Sequence, residues 1–222
     1  MSTVLLTGAT GLVGRHCLEV LLHDPFFTEI KVISRRPLYQ KHPKLTEVIT
    51  EFDNLETLSA EFKEDITICC LGSTIKDAGS REQFMKIDHD YPVQIATLAQ
   101  RQGSRHFIVI SAVGASKNSL FFYSRVKGLM EEDVKTLPYQ TISIFQPSLI
   151  DGERKEVRVM EQLSLKVGRP LARLLPGPLK KYQPLPAADI ARAICHAAKS
   201  SPPGIHYHSG EEIKSFALRY SI

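Results

Sequence analysis

The sequence lacks any apolar run long enough to cross a membrane. Its apolar stretches, such as residues 4–6 and 67–71, are far shorter than the roughly 20 residues that span a bilayer. The first predicted strand starts at Thr3, which leaves no room ahead of it for the charged segment, apolar stretch and cleavage site of a signal peptide. We therefore expect a soluble, cytoplasmic protein without membrane insertion.

Charge is nearly balanced, and long basic runs are missing. The chain has 28 Lys and Arg against 24 Asp and Glu, a formal net charge of +4. Proteins that bind nucleic acid usually concentrate Lys and Arg on one face or along one segment. We therefore predict no nucleic-acid partner.

Cysteine is scarce, and its spacing excludes the common metal motifs. The sequence has four cysteines without paired metal-ligand spacing, and we predict that all are reduced and structural: Cys17, Cys69, Cys70 and Cys195. His206 and His208 could suggest a metal, but they have no third ligand nearby, so we interpret them as part of an edge strand. We predict no metal site.

Apolar, strand-like runs alternate with helical patterns through the first two thirds of the chain. The runs lie at residues 3–8, 29–35, 45–52, 66–72, 106–112 and 139–147, with helical patterns at 12–23, 81–101 and 120–137. This alternation is typical of a parallel sheet covered by helices on both faces. We therefore predict an α/β fold with a doubly wound parallel sheet.

The C-terminal third has a different pattern. Residues 151–186 are broken up by five prolines, at positions 170, 176, 178, 184 and 186, and we predict a small irregular lobe there on the substrate side. A last helix is predicted near 186–199 and a short strand near 205–208. The length of 222 residues suits one domain, so we expect residues 1–222 to form a single unit.

Residues 7–14, TGATGLVG, lie between the first strand and the first helix. The spacing of Gly8, Gly11 and Gly14 is a variant of the dinucleotide-binding fingerprint: a tight turn, a close approach of backbone to pyrophosphate, and close packing of helix on strand. The start of the helix would hold the phosphates through backbone N–H groups. The predicted phosphate site also includes Thr10, Leu12 and Val13. The alternative is a glycine-rich turn without a ligand.

The end of the second strand bears on the choice of cofactor. It reads Ser34-Arg35-Arg36, where a site selective for NAD usually has an acid for the ribose 2′-hydroxyl. An arginine there can bind a 2′-phosphate, so the sequence favours NADP(H) over NAD(H), unless the arginines belong to a solvated loop. Further strand ends place four more residues along the predicted cofactor: Asp53 near the adenine, then Leu71, Gly72 and Ser73.

The segment FFYSRVKG, residues 121–128, places Tyr123 and Lys127 four residues apart on a predicted helix. Such pairs also occur by chance, so the interpretation depends on the surroundings. Ser111 ends the fifth strand twelve residues earlier, on the same edge as the glycine turn. We predict that Tyr123 donates a proton to a carbonyl oxygen, that Lys127 favours ionisation of the phenol, and that Ser111 hydrogen-bonds the same oxygen. The alternative is a half-buried core tyrosine beside a lysine that extends into water.

Six segments in the same order resemble the short-chain dehydrogenase/reductase superfamily, and within it the atypical branch of the HIV Tat-interacting oxidoreductase homologues and their bacterial relatives. They are TGATGLVG at 7–14, SRR at 34–36, CCLGST at 69–74, ISAVGA at 110–115, FFYSRVKGLMEE at 121–132 and QPSLIDGER at 146–154. The resemblance implies a Rossmann fold, NADP(H) binding and a triad of Ser111, Tyr123 and Lys127. It also implies that backbone near Pro147 and Ser148 lines the nicotinamide side, and that the helices at 81–101 and 120–137 form a homodimer interface.

The sequence departs from the superfamily in three places. The Asn-Asn-Ala-Gly motif is missing after the fourth strand, and the Asn of the fourth helix has Asp88 as its nearest counterpart, which argues against a proton relay through that helix. The C-terminal lobe is short beside those of sugar-nucleotide epimerases. The leading hypothesis is an NADP(H)-dependent reductase of a small carbonyl compound. The alternative is an NADPH-binding sensor that acts through a protein partner.

Overall fold

The computed structural model describes residues 1–151 and 183–220, and in them nine strands form two parallel sheets. The strands are β1 Ser2–Thr7, β2 Phe27–Ser34, β3 Leu45–Ile49, β4 Ile66–Cys69, β5 His106–Ile110, β6 Thr141–Gln146, β7 Ile150–Asp151, β8 Leu185–Pro186 and β9 Gly204–Ser209. The main sheet has the order β3-β2-β1-β4-β5-β6-β9, and every neighbouring pair is parallel. Strands β7 and β8 pair separately.

The described residues also form seven α-helices, which lie between the strands or follow the last one. They are α1 Leu12–His23, α2 Ile75–Ala78, α3 Arg81–Met85, α4 Tyr91–Arg101, α5 Phe122–Lys135, α6 Ala187–Ser200 and α7 Gly210–Arg219. A kinked 3-10 segment, Phe52–Glu61, follows β3, and a π-helical turn, Lys86–Asp90, joins α3 to α4. Among the described helices, none has the length and apolarity needed to span a membrane.

The main sheet separates two apolar cores. On one side, Val4 and Leu6 of β1 pack with α1, α6 and α7; on the other, Leu5 packs with α4, α5 and the 3-10 segment. Because successive side chains of a strand point to opposite faces, β1 contributes to both cores. Strands covered in this way are apolar along their whole length, which is the pattern the sequence shows.

The strand order β3-β2-β1-β4-β5-β6 is that of the Rossmann fold, so the predicted fold class is confirmed. Helix α6 and strand β9 were predicted to within a few residues. Helix α7 and the 3-10 segment were not predicted. The predicted irregular lobe falls largely on residues 152–182, which lie outside the described residues. Its two ends are adjacent, since Ile150–Asp151 pairs with Leu185–Pro186.

Two glycines of the first turn allow α1 to lie against the sheet. Gly8 has φ +78°, and a Cβ added there would lie 2.5 Å from the carbonyl carbon of Cys70 at the end of β4. A Cβ on Gly14 would lie 2.0 Å from the carbonyl oxygen of Gly8. Any larger residue at position 14 therefore has to push helix and turn apart.

We predict that Gly14→Ala lowers the free energy of unfolding by at least about 2 kcal/mol, since the added methyl overlaps backbone that cannot rotate away. Gly11→Ala is the matched control, because a Cβ there meets only the Gly8 oxygen, at 3.1 Å. Urea unfolding of the two variants and the wild type measures the difference. Equal stability of the two variants would show that the close approach at position 14 is unimportant.

Candidate functional site

The predicted site residues lie along one edge of the main sheet. They follow the carboxyl ends of successive strands: the glycine turn after β1, Arg35 and Arg36 after β2, Asp53 after β3, Leu71 to Ser73 after β4, Ser111 after β5 and Pro147 after β6. Because all these strands are parallel, their carboxyl ends meet at the same edge. The sheet order thus brings together residues that are far apart in sequence.

The glycine turn forms a cradle of backbone N–H groups. The N–H of Gly11 donates to the carbonyl of Gly8 at 2.9 Å, and Gly11 is the extended N-cap of α1. No side chain caps this helix start, and its first turn has no acidic residue. The N–H groups of the first helical turn lack partners within an α-helix, so they are available to an anion. Thr10 is exposed beside them, whereas the side chain of Val13 is buried, so that only its backbone can take part.

Arg35 and Arg36 are exposed at the end of β2. The loop that carries them is held by Ser34, whose hydroxyl donates to the carbonyl of Arg36 at 2.8 Å, and by Glu47, which accepts the N–H of Leu38 at 2.9 Å. Neither guanidinium forms an ion pair with another described residue. Both are therefore available to an anionic group, as a 2′-phosphate site requires.

Asp53 lies in the 3-10 segment after β3 and is exposed. Its carboxylate accepts the Tyr91 hydroxyl at 2.5 Å and pairs with the Lys86 ammonium at 2.7 Å. These hydrogen bonds, that of Lys86 first, hold the pKa of Asp53 below its ordinary value. The carboxylate therefore stays ionised and fixed at the edge of the sheet, where it was predicted to border the adenine.

Lys127 is buried together with a carboxylate. Its ammonium lies 2.9 Å from Asp88, and both side chains are buried, at 3% and 1% exposure. It also donates to the carbonyl of Ile110 at 3.2 Å, at the end of β5. The alternative of a lysine extending into water is wrong, because the ammonium is held inside the protein. Burying an unpaired charge has a high free-energy cost, so the Lys127 ammonium can be buried only with Asp88 as its partner.

Asp88 connects that lysine to the loop after β4. Its second carboxylate oxygen accepts both the N–H and the hydroxyl of Ser73, each at 2.7 Å. Asp88 lies in the π-helical turn, where the local widening rotates a side chain away from its regular helical direction, and such turns are frequent at functional sites. The sequence identified Asp88 only as the nearest counterpart of the missing Asn. Its direct contact with Lys127 joins two segments far apart in sequence, and no sequence signal predicts it.

Tyr123 lies one helical turn before Lys127, on the same face of α5. Its ring packs against that of Phe84, with centroids 5.6 Å apart, and the residue is partly exposed. Gly128 lets α5 approach the loop after β5, since a Cβ there would meet the backbone of Ser116 and Lys117. The helix therefore carries a partly exposed Tyr123 and, one turn later, a buried Lys127.

Ser111 is buried, and its hydroxyl has a partner that the sequence reading missed. It donates to the carboxylate of Glu131, which also accepts the amide of Gln146 at 2.9 Å. Burial raises the pKa of Glu131, while Gln146, Ser111, Lys135 and Lys127 act in the opposite direction. The expected contact of Ser111 with a substrate oxygen thus competes with a contact inside the protein. The available signal was the spacing of Glu131, four residues after Lys127 on the same face of α5.

The end of β6 lies beside the loop that follows β5. The N–H of Ser111 donates to the carbonyl of Phe145 at 2.7 Å, and that of Val113 to the carbonyl of Pro147 at 3.0 Å. Ser148 is buried, and its hydroxyl donates to the carbonyl of Gln183. Pro147 therefore lies beside the loop that begins at Ser111, while the Ser148 hydroxyl is bonded to Gln183.

The cysteines and histidines have structural surroundings. The four cysteines are free thiols, and burial contributes to raising the pKa of Cys69 to about 11. His206 and His208 lie on β9, the edge strand of the main sheet, as predicted. In the described ranges, no group of three or more His, Cys, Asp or Glu side chains is arranged to hold a metal ion.

Comparison with known proteins identifies the family of the chain. The model of the NAD dependent epimerase/dehydratase family matches residues 4–217. Protein HTATIP2 of Rattus norvegicus is 33% identical over 168 residues, which are 74% of this chain and 69% of the rat protein. "Protein fmp52, mitochondrial" of Aspergillus fumigatus is 34% identical over 218 residues, 92% of each chain.

A solved structure supports the fold independently. The Bordetella bronchiseptica enzyme WbmH in complex with NAD+ superposes with a TM-score of 0.66 at 16% identity, over 94% of this chain and 75% of that one. Identity this low establishes the fold alone. The resemblance noted from the six sequence segments is confirmed by these two relatives. The chain belongs to the NAD-dependent epimerase/dehydratase family.

Proposed function

We propose that the protein is an NADP(H)-dependent oxidoreductase that reduces a small carbonyl compound. The observation that carries this proposal is the arrangement of α5: a partly exposed Tyr123 lies one turn before Lys127, which is buried and paired with Asp88. A core tyrosine and a surface lysine would not need a buried counter-ion. The glycine cradle lies along the same edge, as a dinucleotide site requires.

The residues present fit a nicotinamide cofactor. The uncapped start of α1 can hold a pyrophosphate, and Gly8 and Gly14 leave no space there for a side chain. When bound, the cofactor supplies a hydride. Arg35 and Arg36 would hold a 2′-phosphate by charge-assisted hydrogen bonds, which supports NADP(H) over NAD(H).

Tyr123 would give its phenol proton to the carbonyl oxygen of the substrate as that oxygen gains negative charge. Lys127 would favour the resulting phenolate, because a nearby ammonium stabilises an anion. Asp88 offsets part of that charge, so we expect a weaker effect on the phenol than an isolated ammonium would have. The main contribution of Lys127 is then orientation: Asp88 and the carbonyl of Ile110 fix its ammonium at the base of the site.

The remaining expectations stay predictions. Residues that would shape the substrate pocket fall largely within 152–182, so the substrate is defined only as a small carbonyl compound. A homodimer through the helices at 81–101 and 120–137 is testable by sedimentation.

The predicted cytoplasmic location contrasts with the word "mitochondrial" in the name of the Aspergillus relative.

Tyr123→Phe should lower the rate of carbonyl reduction by about 100-fold or more, because it removes only the proton that the phenol donates. NADPH affinity, measured by fluorescence titration, should stay unchanged. Tyr207→Phe on the edge strand β9 is the control and should retain the wild-type rate. Wild-type turnover by Tyr123→Phe would exclude the mechanism. NADPH binding without turnover of any carbonyl compound would favour the sensor alternative.

Asp88→Asn should destabilise the fold by about 3 kcal/mol, because it leaves the Lys127 ammonium buried without a counter-ion. Lys127→Met should restore part of that loss in the double variant, since the pair then has no charge to compensate. Urea unfolding of the wild type, both single variants and the double variant gives the coupling free energy. Additive effects of the two changes would contradict the role of the pair.

Arg35→Ala and Arg36→Ala should each weaken NADPH binding by about tenfold or more and leave NADH binding nearly unchanged, because only NADPH has the 2′-phosphate. Arg101→Ala, at the end of α4, is a control of equal charge change. Isothermal titration with both cofactors measures the preference. Equal affinity of the wild type for NADPH and NADH would overturn the proposed selectivity.

A further inference from the structure

Glu131 occupies an unusual position for a carboxylate. It is eight residues after Tyr123 and four after Lys127, so all three lie on one face of α5. Its exposure is only 5%, and its Oε1 atom accepts hydrogen bonds from the Ser111 hydroxyl and the Gln146 amide. The reduction proposed above assigns it no role, although it touches the serine at the end of β5.

A serine hydroxyl has one proton to donate and lone pairs that accept. While Glu131 is ionised, that proton is directed to the carboxylate, and Ser111 offers the site only its lone pairs. The carbonyl oxygen of a substrate is itself an acceptor, so this form of Ser111 cannot bind it. A protonated Glu131 can instead donate to Ser111, which leaves the serine proton to a substrate oxygen.

The groups around Glu131 act on its pKa in opposite directions. Burial raises its pKa, and the ammonium groups of Lys127 and Lys135 partly oppose that shift. Both lysines are on α5, while the facing strand β6 contributes the neutral Gln146. Because the pKa is raised, the protonated form persists above the ordinary range of a glutamic acid and is lost as the pH rises through the raised value.

Building on the proposed reductase activity, we propose that Glu131 is a positioning residue whose protonation decides whether Ser111 donates to the substrate oxygen or accepts from it. With Glu131 protonated, Ser111 donates, which suits a carbonyl substrate. With Glu131 ionised, Ser111 accepts, which suits the hydroxyl of the alcohol product. Reduction therefore depends on the neutral form of Glu131, and binding of the alcohol depends on the ionised form.

The activity test compares pH profiles of kcat/KM for carbonyl reduction. Glu131→Gln keeps the size of the side chain, can donate to Ser111 through its amide and does not titrate. In the wild type, kcat/KM should fall by about tenfold per pH unit above the pKa of Glu131, and Glu131→Gln should lack that fall. Glu132→Gln, the exposed neighbour on α5, should keep the wild-type profile. The proposal would be overturned if both variants kept the fall in kcat/KM at high pH, or if both lost it.

A second measurement does not require turnover. Infrared difference spectra of the wild type against Glu131→Gln isolate the carboxylic C=O stretch of Glu131 and give its titration midpoint. Because the Ser111 hydroxyl stabilises the ionised carboxylate, Ser111→Ala should move that midpoint to higher pH. An unchanged midpoint would overturn the role of Glu131. A shifted midpoint in a protein that reduces no carbonyl compound would support the exchange between Ser111 and Glu131 and reject the reductase instead.

Discussion

A buried ion pair between Lys127 and Asp88 joins the pieces of chain that form the candidate site. Lys127 comes from α5, Asp88 from the π-helical turn, and Asp88 in turn holds Ser73 in the loop after β4. The intact pair contributes little net free energy to folding, because burying two charges is costly. Removing one partner is strongly destabilising, because the other charge then remains buried alone. The pair therefore does little to explain why the fold is stable. It links α5, the π-helical turn and the loop after β4 at this edge of the sheet.

The pair also changes how the tyrosine site is understood. A lysine beside a tyrosine suggests a simple charge that acidifies a phenol. With Asp88 at 2.9 Å, Lys127 is part of a nearly neutral unit whose direction is fixed. Four residues after Lys127 on α5, Glu131 accepts the hydrogen bond of the Ser111 hydroxyl. The site is thus built on two buried carboxylates, and each sets the hydrogen bonding of one of the groups first assigned to catalysis.

The sequence predicted the parts of the molecule that depend on local patterns. The apolar runs of β1 to β6 and the glycines at positions 8, 11 and 14 have signals that lie within a few residues, and so does the spacing of Tyr123 and Lys127. The burial of Asp88 and the contact of Glu131 with Ser111 were not predicted, for a common reason. Each carboxylate has partners from distant segments that compensate its polarity, and a polar residue on a helix is otherwise expected at the surface. The buried face of α5 therefore includes Lys127 and Glu131, which no local pattern predicts.

Membership of the NAD-dependent epimerase/dehydratase family agrees with the Rossmann fold of the chain. The proposed function depends most on hydride transfer. The most direct measurement uses NADPH with deuterium at the hydride-donating carbon and follows the mass of products from a panel of aldehydes and ketones. The expected product is an alcohol with one deuterium on the former carbonyl carbon. Saturating binding of NADPH without deuterium in any product would contradict it.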